Sequence, residues 1–598
     1  MARLTVAPAI VVLGAGALPV AERIRARYQG ATIHALAGRA EGDVAFSELG
    51  AHLRALYARG NPVVALCAAG IVIRCVAPCL ADKGVEPPVL AVAEDGSAVV
   101  PLLGGLTGVN LLAREIAETL GVAPAITTSG ELRFGACVLN PPEGYALADI
   151  GAGKRFVSDL LAGASTRVDG AAPWLEGVAL PVDAAGSHAI RVTPRRAGGA
   201  GSGELLIHPR SVVVALAEGF AHQVESLATP AQAADHEAGG DPLARRILDA
   251  LAAADLSPLA LAALVAPRQC MREAALARAA RELGVPLRFV ASEADPAGDA
   301  AALLDAALAA GSIDASPAIT LDDHGKPSKS LAIAIAEAPV DANRLGQARG
   351  SLTVLGLGPG RADLLAPAAR LALAEATDIL GYATYVRMAG PFRADQRVHE
   401  TDNREELQRA RHAFELAAQG RRVAMVSSGD PGVFAMAAAV LEALDGAGEP
   451  AWDEVALEVV PGVSAAFATA AEAGAPLGHD FCVISLSDNL KPWGVIEERL
   501  ALAARADLVM AFYNPISKAR PWQFDRALEI LREIRAADTV VVLGRDVGRP
   551  GASLRSLTLG ELRAADVDMR TMVIVGSSKT RRFASAEREW IYTPRFYD

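Results

Sequence analysis

Short, nearly continuous apolar runs alternate along the whole chain with longer stretches rich in alanine, leucine and arginine. Uninterrupted apolar runs are typical of strands that are covered on both faces, and their alternation with helices is typical of α/β domains. The pattern therefore predicts an α/β protein with buried strands. The strand candidates are Ile10–Leu13, Val63–Leu66, Val212–Leu216, Leu352–Leu357, Val423–Val426, Leu508–Phe512, Val540–Leu543 and Met572–Val575.

Breaks in this pattern indicate where domains end. Residues 228–241 are small, polar and aperiodic, and residues 339–350 precede a fresh apolar run. The glycine-rich residues 198–203 are typical of a hairpin or a surface insertion. The predicted domains are residues 1–135, 136–226, 242–338 and 350–598.

The chain is acidic, with 57 Lys and Arg residues against 69 Asp and Glu residues and a net charge of −12. This balance argues against a nucleic-acid partner but allows a local basic pocket for a polyanionic small molecule. The six cysteines form no CxxC pair, and no metal site is predicted. The first residues lack the signal-peptide pattern and the apolar runs are too short to cross a bilayer, so we expect a cytoplasmic protein with no membrane partner.

Three glycine-containing turns follow strand candidates in residues 350–598. The first turn is Gly356–Gly360 (GLGPG), the second is Gly429–Gly432 (GDPG) and the third is Val460–Ser464 (VPGVS). Ligands of open α/β sheets bind at the carboxyl ends of strands, where glycine lets the backbone approach them closely. Arg361 stands where a dinucleotide fingerprint has its third glycine, and no Gly-Lys-Ser/Thr follows, so neither a dinucleotide loop nor a Walker loop is predicted. Asp430 is suited either to cap the next helix or to accept hydrogen bonds from a ligand.

In this order the three turns resemble those of the tetrapyrrole (corrin/porphyrin) methylase family, and the resemblance extends over residues 350–598. It implies a two-lobed α/β fold that binds S-adenosyl-L-methionine (SAM) between its lobes, preceded here by smaller α/β domains. The cofactor-binding residues that it implies are Pro359, Gly429, Asp430, Pro431, Ser464, Ala465, Tyr513 and Gly576.

Within that family, several stretches are similar to the precorrin-3B C(17)-methyltransferases of the CobJ type. They are residues 401–405 (TDNRE), 485–493 (SLSDNLKPW), 512–518 (FYNPISK) and 543–549 (LGRDVGR). This resemblance implies methylation of precorrin-3B at carbon 17 with contraction of the macrocycle to precorrin-4. A uroporphyrinogen-III methyltransferase and a ribosomal-RNA methyltransferase of the same fold are the alternatives. The former would lack the SDNLKPW and FYNPISK stretches, and the latter should have a basic face.

Methyl transfer from a sulfonium depends on in-line positioning and requires no nucleophilic side chain, whereas ring contraction requires a base and an acid. The candidate acids and bases are Asp363, His479, Asp480 and Asp488. Asp363 ranks first because it follows the first turn, which is expected to lie over the substrate. The substrate carries several carboxylates, for which the candidate partners are Arg404, Lys491 and Arg545. The resemblance also implies a homodimer, with other cobalamin-pathway enzymes as further candidate partners.

Residues 62–128 carry a second resemblance, to the cobalamin-biosynthesis protein CbiG, through GIVIR (70–74) and LLGGLTGVN (102–110). Residues 242–338 resemble a shortened form of its C-terminal domain, which also occurs as the separate protein CobE. The CbiG family opens the lactone of cobalt-precorrin-5A, but Leu106 stands at its histidine position. The chain is therefore either a bifunctional methyltransferase and hydrolase or a methyltransferase with a non-catalytic corrinoid-binding module. The polar candidates of such a module are Asp82, Lys83, Asp95 and Asn110.

Overall fold

The fold was analysed on a computed structural model, which describes residues 7–28, 30–80, 86–196, 203–227, 240–291, 299–320, 329–390, 392–393, 395–401, 406–585 and 588–596. Contacts divide the chain into two compact units. The first is Met1–Arg349 with Pro391–Asp395, and the second is Gly350–Gly390 with Gln396–Asp598. Among the helices of the described ranges, none is both long and apolar enough to cross a membrane.

The first unit begins with a six-stranded, doubly wound sheet. Its elements are β1 (Ala9–Val12), α1 (Leu18–Arg27), β2 (Thr32–Leu36), β3 (Val44–Phe46), α2 (Leu49–Ala58), β4 (Val63–Leu66), α3 (Ala69–Val76), β5 (Val89–Val92), β6 (Val99–Leu103) and α4 (Val109–Leu120). The strand order is β3-β2-β1-β4-β5-β6, and only β6 runs antiparallel to its neighbour. Helices α1 and α4 cover one face and α2 and α3 the other, which explains why the strands are apolar throughout.

A second, four-stranded sheet follows in the order β7-β10-β9-β8. Its elements are α5 (Ser129–Phe134), β7 (Tyr145–Leu147), α6 (Ile150–Leu161), β8 (Thr166–Asp169), β9 (His188–Val192) and β10 (Glu204–Pro209). Strands β9 and β10 are parallel. The hairpin or surface insertion predicted at residues 198–203 lies, except for Gly203, outside the described residues.

The third sheet has the order β13-β12-β11-β15-β14. Its elements are β11 (Val212–Leu216), α7 (Phe220–Leu227), α8 (Pro242–Ala253), β12 (Leu261–Pro267), α9 (Ala274–Leu283), β13 (Leu287–Val290), α10 (Ala300–Gly311), β14 (Ile319–Thr320) and β15 (Leu331–Ile335). Strand β11 lies at the centre and pairs with β12 and β15. The structure thus groups residues 212–216 with later strands, although they precede the break predicted at residues 226–242.

The second unit has two lobes. The first lobe comprises β16 (Ser351–Gly356), α11 (Pro367–Glu375), β17 (Asp378–Tyr382), α12 (Ala383–Ala389), β18 (Arg397–Thr401), α13 (Glu406–Ala418), β19 (Arg422–Ser427), α14 (Met436–Asp445), α15 (Pro450–Asp453) and β20 (Ala456–Val460). Its five strands are parallel, in the order β18-β17-β19-β16-β20. The first and second turns follow the adjacent strands β16 and β19, and the third turn follows β20 on the other side of β16.

The second lobe contains a five-stranded mixed sheet and a small three-stranded sheet. Its elements are α16 (Ala465–Ala473), β21 (Gly474–Ala475), β22 (Phe481–Ser485), α17 (Trp493–Arg505), β23 (Val509–Tyr513), α18 (Gln523–Ile534), β24 (Val540–Arg545), β25 (Ser553–Thr558), β26 (Thr571–Val575), β27 (Arg581–Ser585) and β28 (Arg588–Tyr592). The orders are β22-β23-β26-β24-β25 and β21-β28-β27. Every strand predicted from an apolar run is present, with small differences at the ends, and the α/β class is confirmed.

Candidate active site

The first and second turns are joined to each other by backbone hydrogen bonds. The Gly358 N–H donates to the Gly429 carbonyl over 3.1 Å, and the Gly429 N–H donates back to the Gly358 carbonyl over 2.8 Å. Both glycines have positive φ values, 67° and 70°, which favour glycine over any other residue. The parallel pairing of β16 with β19 places the two turns side by side, and the backbone bonds fix their separation.

The third turn closes on the second through Asp430. Its Oδ2 accepts from the Gly462 N–H at 3.0 Å and its Oδ1 from the Gly432 N–H at 2.8 Å. A Cβ at position 462 would lie 2.2 Å from the Gly429 carbonyl oxygen, so only glycine fits this approach. Asp430 does not cap the next helix: α14 begins at Met436, and Ala435 occupies its N-cap. Of the two roles that the sequence leaves open for Asp430, the helix cap is therefore excluded, because the chain continues for several residues before the helix starts.

The start of α16 connects the third turn to the second lobe. Ser464 is buried and caps the helix by accepting from the Phe467 N–H. The Ala466 N–H donates to the Tyr513 hydroxyl over 3.2 Å. Tyr513 ends β23, so a residue of the second lobe contacts the helix that the third turn begins. Pro359, Gly429, Asp430, Pro431, Ser464, Ala465 and Tyr513 therefore lie in or beside one connected group of turns.

Arg549 also holds this group together, and sequence reasoning did not select it. Its Nε donates to the Pro359 carbonyl over 3.0 Å, and its Nη2 donates to the Ser428 hydroxyl over 3.0 Å. One guanidinium from the β24–β25 loop thus binds both the first turn and the strand end before the second. The only sequence signal was its membership of the LGRDVGR stretch, which gives no information on what the side chain contacts.

Replacing Arg549 by lysine should lower the kcat/KM of the enzyme that the resemblance implies about tenfold, and replacing it by methionine should lower it further. Lysine keeps the charge but cannot donate to both acceptors in the planar geometry of a guanidinium, and a hydrogen bond to a charged group is worth about 1.5–3 kcal/mol. Steady-state kinetics of the purified variants measure the effect. Arg532 is the matched control, because it also donates to backbone carbonyls, those of Leu559 and Leu562, away from the turns. Equal losses of kcat/KM in Arg549→Lys and Arg532→Lys would contradict the prediction.

Asp363, the first-ranked acid or base, pairs with Arg361. The Arg361 Nε donates to Asp363 Oδ1 over 3.0 Å, and both side chains are largely exposed. This hydrogen bond lowers the pKa of Asp363 below its ordinary value. Asp363 is therefore ionised at neutral pH, a state that can accept a proton but has none to donate.

The other acid and base candidates lie at two different ends of the second-lobe sheet. Asp488 follows β22, and its Oδ2 accepts from Gln523 Nε2 over 3.0 Å. His479 and Asp480 precede the same strand, and the Asp480 N–H donates to His479 Nδ1. Because Ser485 pairs with Tyr513, Asp488 is at the Tyr513 end of the sheet and the other two are at the opposite end.

The substrate candidates are placed differently from one another. The Lys491 ammonium lies 5.9 Å from the centroid of the Phe434 ring. Arg545 is at the carboxyl end of β24 and forms ion pairs with Asp546 and Asp568. Arg404 lies outside the described residues. The structure thus places Lys491 near the second turn, whereas Arg545 already has two carboxylate partners.

Gly576 is the cofactor candidate that the structure separates from the rest. It follows β26, which runs antiparallel to β23, and Met510 pairs with Val575. Its position is therefore at the amino end of β23, whereas Tyr513 is at the carboxyl end. Its N–H donates to the Val540 carbonyl at the start of β24.

In the first unit, the candidates that can be placed have structural partners. The buried Asn110 amide donates to Glu131 Oε1 over 2.7 Å and to the Thr128 hydroxyl, and Arg114 pairs with the same Glu131. Asp95 accepts from the N–H and the hydroxyl of Ser97 within one turn. Asp82 and Lys83 lie outside the described residues. Within the described ranges, no group of His, Cys, Asp and Glu side chains is arranged to hold a metal ion.

Comparison with known proteins agrees with this architecture. The family profile "Tetrapyrrole (Corrin/Porphyrin) Methylases" matches residues 351–563, and the profile "Cobalamin synthesis G N-terminal" matches residues 51–131. The chain belongs to the tetrapyrrole methylase family, and it is a methyltransferase. The motif-based resemblances to this family and, at the N-terminus, to CbiG are confirmed.

Individual relatives are similar to somewhat less than half of this chain. A precorrin-3B C(17)-methyltransferase from Sinorhizobium sp is 52% identical over 249 residues, which are 42% of this chain and 97% of that protein. The cobalamin biosynthesis protein CobIJ of Mycobacterium bovis is 46% identical over 285 residues, which are 47% of this chain and 54% of that protein. The chain thus spans about half of CobIJ. The crystal structure of the methyltransferase CobJ is 53% identical, covers 41% of this chain and 100% of its own, and has a TM-score of 0.39.

Proposed function

We propose that the second unit transfers a methyl group from SAM to carbon 17 of precorrin-3B and contracts the macrocycle to precorrin-4. The main support is that hydrogen bonds of Gly358, Gly429, Asp430 and Gly462 join the three turns into one connected group. Tyr513 of the second lobe also contacts this group. The choice of substrate is supported by the precorrin-3B C(17)-methyltransferase from Sinorhizobium sp, which is 52% identical to this chain over 97% of its own length.

The residues around the turns fit a sulfonium nucleoside. Gly429, Ser464 and Ala465 have small side chains or none, so no bulky side chain stands between their backbone and a flat base or a ribose. Ser427, at the end of β19, has a buried hydroxyl with no hydrogen-bond partner among the described residues. A buried polar atom without a partner is costly, and a bound ligand is one way to satisfy it. When bound, SAM supplies the electrophilic methyl group.

The chain's own residues act mainly by positioning. Asp430 and Arg549 fix the separation of the three turns, and a reacting pair held in line gains most of its acceleration from this orientation. We propose Asp363 as the base that accepts the ring-hydroxyl proton during contraction, because it follows the first turn. Asp488 is better placed than His479 or Asp480 for the acid, since it shares the Tyr513 end of the sheet. Lys491, Arg404 and Arg545 are proposed to bind carboxylates of the substrate.

Incubation of the full chain with precorrin-3B and methyl-labelled SAM tests this function. The expected result is precorrin-4 that carries one label at carbon 17, identified by mass and by NMR. Label on a uroporphyrinogen intermediate, or unlabelled product only, would reject the assignment. A uroporphyrinogen-III assay run in parallel checks the alternative substrate directly.

For the first unit, we propose a non-catalytic module that binds a corrinoid intermediate. Two observations support this choice over a cobalt-precorrin-5A hydrolase. Leu106, at the family's histidine position, has no proton to transfer, and the Asn110 amide is engaged in a buried network. The full chain should therefore change the absorbance of cobalt-precorrin-5A without releasing acetaldehyde, whereas acetaldehyde release would establish the hydrolase and make the chain bifunctional.

We also propose that the chain works in the cytoplasm as a homodimer. Strand β22 is at the edge of its sheet, and Phe481 and Val483 on it are exposed. Phe467 lies beside them, with its ring 6.0 Å from that of Phe481. A second copy of the chain would cover this apolar surface, and light scattering of the purified protein measures the mass.

A further inference from the structure

Phe434 has a backbone conformation that its side chain disfavours. Its φ is 53°, in the left-handed region that bulky residues rarely enter. The residue is 51% exposed, so burial of the side chain is not what holds it there. Strained residues of this kind cluster at ligand-binding sites, where the surrounding structure maintains them. Phe434 lies two residues after the second turn, on the loop that leads into α14.

Two second-lobe residues contact this ring. The Tyr513 ring approaches it edge to face, with 5.3 Å between centroids. The Lys491 ammonium lies 5.9 Å from the Phe434 centroid, within the range of a cation–π interaction. The Tyr513 hydroxyl also accepts from the Ala466 N–H at the start of α16, just after the third turn. The Phe434 ring therefore lies close to the second turn, to the third turn and to the second-lobe loops that carry Lys491 and Tyr513.

We propose that Phe434 and Lys491 form a substrate subsite, in which the exposed ring supports one face of the tetrapyrrole and the ammonium binds a carboxylate at its edge. A tetrapyrrole of this pathway has a flat apolar ring with carboxylates around it, and the pair offers an aromatic face with an adjacent cation. This inference rests on the proposed function and specifies which residues recognise its substrate.

The state of Lys491 supports the same assignment. Partial burial, and to a smaller extent the nearby Arg499, lower the pKa of its ammonium. A bound carboxylate would favour the charged form of Lys491 and so raise the pKa of its ammonium again. SAM also combines a flat base with a carboxylate, so the separate measurement of its Kd decides between the cofactor and the tetrapyrrole as the occupant of this pair.

Three single variants test the subsite. Phe434→Leu removes the aromatic face but keeps an apolar side chain. Phe434→Gly also relieves the positive φ. The matched control is Phe583→Leu, because Phe583 is similarly exposed (49%) and contacts Tyr592 edge to face, but it lies in the β27–β28 hairpin. For each variant, the KM of precorrin-3B, the Kd of SAM by calorimetry and the Tm are measured.

Both Phe434 variants should raise the KM of precorrin-3B about three- to tenfold, as expected for the loss of one aromatic contact. The Kd of SAM should stay within about twofold of wild type, and Phe434→Gly should not lower the Tm, because glycine accepts this φ without strain. Phe583→Leu should leave the KM unchanged.

Three outcomes would overturn the inference. An unchanged KM in both Phe434 variants would show that the ring does not support the substrate. A parallel rise in the Kd of SAM would assign the ring to the cofactor. A large fall in Tm for Phe434→Gly would show a purely structural role. Failure of the proposed function is distinguishable from these results, because wild-type protein would then methylate no precorrin-3B at all.

Discussion

Gly462→Ala is expected to lower kcat/KM for methyl transfer at least about 100-fold while leaving most of the protein folded. The added Cβ would lie 2.2 Å from the Gly429 carbonyl oxygen and 3.0 Å from the Gly356 Cα, and both neighbours are backbone atoms that no side-chain rotation can move. The third turn must therefore shift away from the second by roughly 1 Å, and a misplacement of this size costs about 100-fold in a reaction that depends on orientation.

Gly494→Ala provides the control for this substitution. Gly494 lies in the first turn of α17, and a Cβ there would meet no atom within 4 Å. Alanine should stabilise the helix by up to about 1 kcal/mol and leave the kinetics unchanged. The readouts are kcat/KM, the Kd of SAM and circular dichroism. Wild-type kinetics for Gly462→Ala would mean that the close approach of the turns does not determine activity.

Asp430→Ala is expected to weaken SAM binding about 100-fold, and Asp430→Asn about tenfold. The carboxylate accepts from both Gly432 and Gly462, whereas an asparagine amide has one oxygen for these two donors and alanine has none. A hydrogen bond to a charged group contributes about 1.5–3 kcal/mol, and 1.4 kcal/mol corresponds to a factor of ten in Kd. Calorimetric titration with SAM measures the change.

The Asp183→Asn variant is the control, because the Asp183 carboxylate, within the part of the chain that the structure describes, stabilises only its own turn and does not join two turns. The Asp183 carboxylate accepts from the Ala185 N–H at 2.9 Å, as Asp430 does from Gly432, but no distant N–H donates to it among the described residues. Its replacement should leave the Kd of SAM unchanged. A ranking in which Asp430→Asn binds SAM as tightly as wild type would remove Asp430 from the cofactor site.

Sequence reasoning found most of the residues that the structure brings together. Gly429, Asp430 and Ser464 each lie a few residues after an apolar run, and parallel neighbouring strands bring such positions to one edge of a sheet. Arg549 and Phe434 were not predicted as site residues, and the reason is physical. One acts through contacts with carbonyl and hydroxyl groups far along the chain, and the other is marked by a backbone angle that its residue type does not indicate.

Strand direction accounts for the separation of Gly576 from Tyr513. Both follow apolar strands, and the sequence offers no sign that one strand is antiparallel to the other. The pairing of β11 could not be predicted for the same reason. Its apolar run indicates that the strand is buried but does not indicate that it pairs with β12 and β15. Such pairings form between residues far apart in sequence, so the packing of whole elements selects them.

The order of apolar runs and glycine turns was sufficient to predict the α/β class, the most apolar strands and the three turns, because burial and backbone freedom are properties of individual residues and their neighbours. The packed chain alone determined which turns touch, which carboxylate joins them and which end of each sheet a residue occupies. Those features depend on hydrogen bonds and close contacts between segments tens to hundreds of residues apart, as between Arg549 and Pro359.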